Sequence, residues 1–237
     1  GMKEFNKECR ESVWTYEAAW REMTERMAYW CDLDDPYVTL HNEYIESCWW
    51  ALKQMFEKGL LYRGYKVLPY CPQTGTSYSS HEVALGYKEV EEPSVYVKFK
   101  LEDTDASILA WTTTPWTLPG NTCLAVNNDI VYQVFILNET GEIYLCSTFY
   151  YNEKIKDKQK NAPLFTVKGS FLVGENYIPV FNYNTKIKEF KIYNGDFVNS
   201  EKGTGIVHIA PAFGEDDFNL CKSNNILGED FSNLFLP

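Results

Sequence analysis

Three consecutive threonines, Thr112, Thr113 and Thr114, run straight into Pro115 within the segment from Trp111 to Asn121. A β-branched run suits an extended backbone, and a proline keeps the residue before it extended. Pro115 also lacks an N–H, so a strand must end or bulge there. Hydroxyls and freed backbone groups at such a strand end can hold a polar ligand or a water. A threonine-rich edge strand with no further role is the plain alternative, and the segment alone leaves both open. A second segment runs from Gly203 to Phe218. A glycine turn feeds a short apolar strand on which His208 is the only strongly polar residue. A loop with Pro211 and Gly214 follows, and then Glu215, Asp216 and Asp217. Read singly, these have ordinary explanations. Carboxylates favour the first turn of a helix, and a histidine on an apolar strand commonly bonds backbone. Taken together, they set an imidazole and a carboxylate on either side of one loop. That arrangement can orient a cationic amine and polarise an ester.

A third segment, Tyr70 to Val83, holds Cys71 and His81. A structural zinc site needs four ligands and usually close cysteine pairs, and only one cysteine is present here. No metal and no cofactor are expected.

The elements that must position these residues differ along the chain. Tyr16, Trp20, Met23, Met27 and Trp30 recur at helical spacing, and Ile45, Trp49, Leu52 and Phe56 make a second stripe. Asp34-Asp35-Pro36 separates the two, and Gly59 is placed to end the second helix. The spacing predicts an N-terminal helical hairpin over residues 1–66, its aromatics used for packing. From about Tyr65 the period falls to two. Val95, Val97, Phe99 and Leu101 alternate with Tyr96, Lys98 and Lys100, as in a half-buried strand. Ile108 to Trp111, Cys123 to Val126, Val131 to Ile136, Ile143 to Cys146 and Ile206 to Ala210 are further strand candidates. Many short punctuated strands favour a closed or nearly closed sheet. The expected fold is α+β: a β-barrel-rich core over residues 67–237 with peripheral helices. Lys154 to Lys160 is a charged run, read as a solvated loop or helix face with a small chance of touching RNA.

Composition narrows the function classes. The 17 Tyr, 14 Phe and 7 Trp in 237 residues favour a filled core and leave flat rings for stacking. The net charge of -11 argues against a protein that tracks a duplex backbone. If the chain binds RNA, it takes a single-stranded end in a local pocket or borrows affinity from another domain. The seven cysteines are scattered and form no Cys-x-x-Cys pair, as for free thiols in a reducing compartment. No apolar run is long enough to span a bilayer, and no membrane partner is expected. Gly1 before Met2 and the ending at Leu236-Pro237 read as a piece cut from something larger.

Trp111 to Pro119 and Gly203 to Phe218 resemble the two signature segments of the isoleucyl-tRNA synthetase editing domain, the large insertion of class I synthetases. Tyr44 to Trp50, Lys58 to Gly64 and His81 to Tyr87 agree. The resemblance runs from about Trp30 onward and is weakest between Asn138 and Asn199. Thr114-Pro115-Trp116 favours the isoleucine enzyme over valine- and leucine-specific relatives, and the wording is closest to eukaryotic cytosolic forms. The resemblance implies hydrolysis of the ester of mischarged Val-tRNA(Ile) in the cytoplasm. It implies the aminoacylated 3′ end of tRNA(Ile) and the rest of the synthetase as partners. Thr112, Thr113 and Thr114 would line the site and contact the terminal adenosine and ester, beside Trp111. His208 would shape the amino-acid pocket and Asp217 would bind the α-ammonium, with Asp216 its rival and Asn121 nearby. The segments His-Ile-Gly-His and Lys-Met-Ser-Lys-Ser are missing, so formation of aminoacyl-adenylate is not expected. The alternatives are a non-catalytic module that binds a tRNA 3′ end, or the editing domain of a valine- or leucine-specific relative.

Overall fold

A computed structural model describes residues 1–160, 162–183 and 186–228, so the Leu236-Pro237 ending lies outside the described residues. The chain divides into two compact units, Gly1–Tyr65 and Lys66–Pro237.

The first unit is helical: α1 (Met2–Trp14), α2 (Glu17–Arg26) and α3 (Asn42–Glu57). Gly59, at φ +70, stops α3 as its position suggests, and Leu60 N donates to Met55 O across the turn at 2.9 Å. The expected packed hairpin is not formed. None of the three helices contains a buried residue, and Trp20, Met27, Trp30, Trp49 and Phe56 all stand exposed. The physical reason is geometric. An apolar stripe is buried only against a second layer, and none of the three helices buries its stripe against another.

The second unit is rich in strands. β1 (Tyr70–Cys71) and β2 (Thr76–Ser77) form a small antiparallel pair, followed by α4 (Ser80–Ala84), which a Ser79–Glu82 capping box begins. The main sheet contains β3 (Val95–Leu101), β4 (Ala106–Thr112), β6 (Val131–Ile136), β7 (Ile143–Ser147), β8 (Phe165–Lys168) and β9 (Tyr177–Ile178). Its order is β8-β6-β7-β4-β3-β9. β3 and β4 are an antiparallel hairpin pair that sets Phe99 against Ile108, while β4 and β7 run parallel. A second sheet, of order β10-β5-β11, joins β5 (Cys123–Val126), β10 (Ile192–Asn194) and β11 (Val207–Ile209). The alternation expected for β3 is present, with Val97, Phe99 and Leu101 buried. The charged run from Lys154 follows the short α5 (Thr148–Tyr150) as tight helical turns, mostly exposed.

The expected barrel is corrected to two open sheets. Among the described residues, β8 and β9 end the main sheet without pairing to each other. The cause lies at Pro115: the chain leaves β4, makes a 3₁₀ turn over Pro115–Gly120, and re-enters as β5 in the other sheet. The core fills the space between, around Phe99, Ile108, Leu124, Tyr132, Tyr177 and Ile192. Each such side chain contributes about 1.5–3 kcal/mol by leaving water. A second cluster packs Phe218 and Cys221 of α6 (Glu215–Ser223) on Ala125 and Ile209. No helix among the described residues is long and apolar enough to cross a membrane.

Candidate functional site

Three local devices bring the two signature segments together. β4 ends at Thr112, and the 3₁₀ turn begins at Pro115, so Thr113 and Thr114 form the bend between them. Within the bend Thr114 N donates to Thr112 Oγ1 at 3.1 Å, and the two hydroxyl oxygens lie 3.3 Å apart. β11 pairs antiparallel with β5 and sets His208 opposite Leu124, which carries the imidazole toward the 3₁₀ turn. The glycine turn before β11 is tied down by the buried Tyr132, whose hydroxyl donates to Gly205 O at 2.9 Å. Gly203 has φ +57, and a Cβ there would stand 2.8 Å from the Trp111 ring, so only glycine lets the turn cover that indole.

The acid segment opens α6 with Glu215, Asp216 and Asp217 in its first turn. Asp217 folds back over the loop, and its Oδ2 accepts from Ala210 N at 2.8 Å. Gly214 makes this possible, because a Cβ there would approach Asp217 Cγ to 2.9 Å.

Between the two segments lies a cavity of about 390 Å³, bordered by Trp111, Thr112, Thr114, Trp116, Thr117, Val207, His208, Ala210, Phe213, Gly214 and Asp217. Its size is that of a small-molecule pocket. Of the residues singled out by sequence, Trp111, Thr112, Thr114, His208 and Asp217 are on this wall. Thr113 is half-buried and does not border the cavity; Asn121 is buried behind His208, and Asp216 is exposed. A larger concavity of about 760 Å³ lies between Lys98, Lys100, Glu142 and Ile178. Its charges pair across the surface, Lys98 with Glu142 at 3.0 Å and Lys100 with Asp105 at 3.7 Å, and it offers no comparable grouping.

His208 is 8% exposed, and both ring nitrogens meet side chains: Nε2 is 2.8 Å from Thr117 Oγ1 and Nδ1 is 3.3 Å from Asn121 Nδ2. Burial pushes its pKa down to about 4, so the ring is neutral at pH 7. Asp217 moves the other way. Burial raises its carboxyl to about 6 and the Asp216 charge adds to this, while the Ala210 N–H opposes it. At pH 7 it is still an anion, held where a cation would relieve the cost of its burial.

Thr117, Trp116, Phe213 and Tyr177 were not singled out by sequence reasoning. The first two lie inside the quoted threonine segment, where Thr117 stands three residues beyond Thr114 and so turns back on it in a 3₁₀ helix. Tyr177 donates to Asn121 Oδ1 at 2.6 Å from a region with no readable motif. Among the described residues no group of three or more His, Cys, Asp or Glu could hold a metal ion.

The family model described as tRNA synthetases class I (I, L, M and V) matches residues 1–204, which includes the threonine segment and stops before His208. An isoleucine–tRNA ligase of Clostridium kluyveri is 49% identical over 227 residues, 95% of this chain and 22% of the relative. One from Clostridium acetobutylicum is 47% identical over 98% of this chain and 21% of the relative. The chain thus spans about a fifth of the length of these relatives. Both are bacterial, which corrects the expected likeness to eukaryotic cytosolic forms. Among solved structures, the cytosolic leucyl-tRNA synthetase editing domain of P. knowlesi aligns at a TM-score of 0.46 and 16% identity, covering 60% of this chain and 67% of that one.

Proposed function

The chain belongs to the class I tRNA synthetases of the isoleucine, leucine, methionine and valine group, and from that membership we propose that it is the editing domain of an isoleucine-specific synthetase. Its reaction is hydrolysis of valine wrongly esterified to tRNA(Ile). Isoleucine and valine differ by one methylene, the standard illustration of a difference that a hydrophobic pocket discriminates by only about 1–3 kcal/mol. A second site that destroys the smaller product overcomes that limit.

The observation that carries this reading is the cavity in which the threonine bend and His208 share one space with the Asp217 carboxylate. Asp217 anchors the α-ammonium by a charge-assisted bond. Thr112 and Thr114 hold the terminal adenosine and the ester, with Trp111 beside them, and Thr113 serves only to form the bend between β4 and the 3₁₀ turn. His208 forms the wall that rejects isoleucine, Asn121 supports it from behind, and Asp216 acts only through its charge on Asp217. Water adds to the ester carbonyl, the bond from carbonyl carbon to ribose oxygen breaks, and valine leaves with the ribose hydroxyl restored. Positioning supplies most of the rate. The acidic net charge suits a domain that receives only the 3′ end of the tRNA, with the rest of the synthetase supplying further affinity in the cytoplasm.

The test is deacylation of Val-tRNA(Ile) and Ile-tRNA(Ile) by the 237-residue chain. Loss of the valyl ester well above the spontaneous rate, with the isoleucyl ester spared, is expected. Retention of both esters would leave a binding module instead. His208→Ala is expected to let the isoleucyl ester be cleaved, and unchanged sparing of that ester would remove His208 from the sieve.

A further inference from the structure

The proton directions around His208 follow from one carbonyl. Asn121 Nδ2 lies 3.0 Å from Cys123 O, which can only accept, so the amide nitrogen is on that side. The same nitrogen lies 3.3 Å from His208 Nδ1, so it donates there and Nδ1 carries no proton. A neutral ring then carries its proton on Nε2, which donates to Thr117 Oγ1 at 2.8 Å. The single hydroxyl proton of Thr117 is left for Thr114 O, also at 2.8 Å. At the other end the Asn121 Oδ1 is free to accept, and the Tyr177 hydroxyl supplies its proton at 2.6 Å. Tyr177 is 1% exposed, does not border the cavity, and is held between the rings of Phe99 and Phe190.

We propose that Tyr177 and Asn121 are positioning residues that lock His208 in its Nε2–H tautomer, so that one directed chain of hydrogen bonds runs from the Tyr177 hydroxyl to the Thr114 carbonyl. His208 then has no nitrogen to offer a reacting water and works as an uncharged wall. The chain ends on the bend that presents the threonine hydroxyls: Thr114 O accepts from both the hydroxyl and the N–H of Thr117. The catalytic consequence rests on the editing reading; the tautomer does not. Burial agrees with both ends of the chain, since it keeps His208 neutral and pushes the Tyr177 hydroxyl well above its usual pKa, so that it retains its proton.

The experiment is ¹⁵N spectroscopy of the 237-residue chain labelled at histidine, where His208 is one of three and the other two, His41 and His81, are exposed. His208 is expected to show an unprotonated Nδ1 and a protonated Nε2, unchanged from pH 5.5 to 8. Asn121→Asp replaces the donor with an acceptor and is expected to move the proton to Nδ1. Tyr177→Phe keeps the ring and removes the hydroxyl. It is expected to mix the two tautomers and to lower kcat for Val-tRNA(Ile) roughly tenfold with KM little changed. A wild-type Nδ1–H ring, or one that protonates within that range, overturns the lock, and this spectrum decides the matter even if Asn121→Asp fails to fold. Unchanged kcat in Tyr177→Phe overturns the positioning role. If the spectrum is as expected and the wild-type chain deacylates nothing, the editing reading falls and the lock stands.

Discussion

The two walls of the cavity are built on opposite principles. On the threonine–histidine wall the polar groups bond chiefly to one another: Thr112 with Thr114, Thr114 with Thr117, Thr117 with His208. The imidazole there is neutral. Such a wall is comfortable in the interior and contributes shape. On the acidic wall a carboxylate is held against its preference, with burial raising Asp217 to about 6. That wall contributes charge. The difference teaches how one cavity divides its labour. One face fixes geometry at no electrostatic cost, and the other keeps an unmet demand that only a cationic ligand answers.

Breaking the charged wall has the largest expected effect. Asp217→Ala should lower kcat/KM for Val-tRNA(Ile) by roughly 100-fold or more, as for loss of a buried charge-assisted contact in a transition state. Near-normal deacylation rates would show that the two walls are not different in kind.

The next effect is on stability and has the opposite sign. The folded Asp217 carboxyl keeps its proton up to about 6, whereas the unfolded one releases it near the usual carboxylate range. Between those values the native state binds more protons, so stability falls as pH rises through that window and stays lowered above it. Asp217→Asn removes this penalty while Asn can still accept from Ala210 N. It should therefore stabilise the chain by about 1–3 kcal/mol at pH 8, allowing for solvent screening of a half-buried group, and by almost nothing at pH 3.5. Urea unfolding at the two pH values measures it. His208 contributes the reverse slope: its stability is present above its unfolded pKa and is lost as pH falls toward about 4.

Crowding the acid without removing it should cost less. Gly214 has φ -133, which any residue adopts, so Gly214→Ala strains no backbone and acts through the 2.9 Å approach to Asp217 Cγ. About a tenfold loss of kcat/KM is expected. A full loss would mean that the loop, not the acid, had been damaged; circular dichroism separates the two. The smallest effect sharpens the choice between neighbours. Asp216 is exposed and acts on Asp217 only through its charge. Asp216→Asn should change deacylation by less than about threefold, and a loss as large as that of Asp217→Ala would reverse the roles.

Local chemistry made much of this legible. β5 and β6 occupy the spans that the apolar runs suggest, and β3 shows its period of two, because each strand buries a face against the same core. Trp111, Thr112, Thr114, His208 and Asp217 border one cavity because their segments end or begin regular elements, which local signals mark well. Thr113 points elsewhere, since adjacent residues at a strand end face opposite ways. Tyr177 was invisible: a tyrosine in a two-residue strand is defined by a partner 56 residues away. The closed barrel was an overextension. A count of strands cannot say which sheet each joins, and one proline turn sent β5 to the other. The helical stripes failed differently: their period is correct, but period states only that a face is apolar, not what covers it.

The bond between Thr117 and His208 joins residues 91 positions apart. Closing a loop of that length is slow relative to forming β3–β4 or β6–β7, whose partners are near neighbours. During synthesis, a chain that has emerged only as far as β10 has the threonine bend but neither the imidazole nor the acid. The cavity is therefore complete only once β11 pairs with β5 and α6 packs on Ala125 and Ile209. A chain halted earlier would lack the His208 and Asp217 side of that cavity.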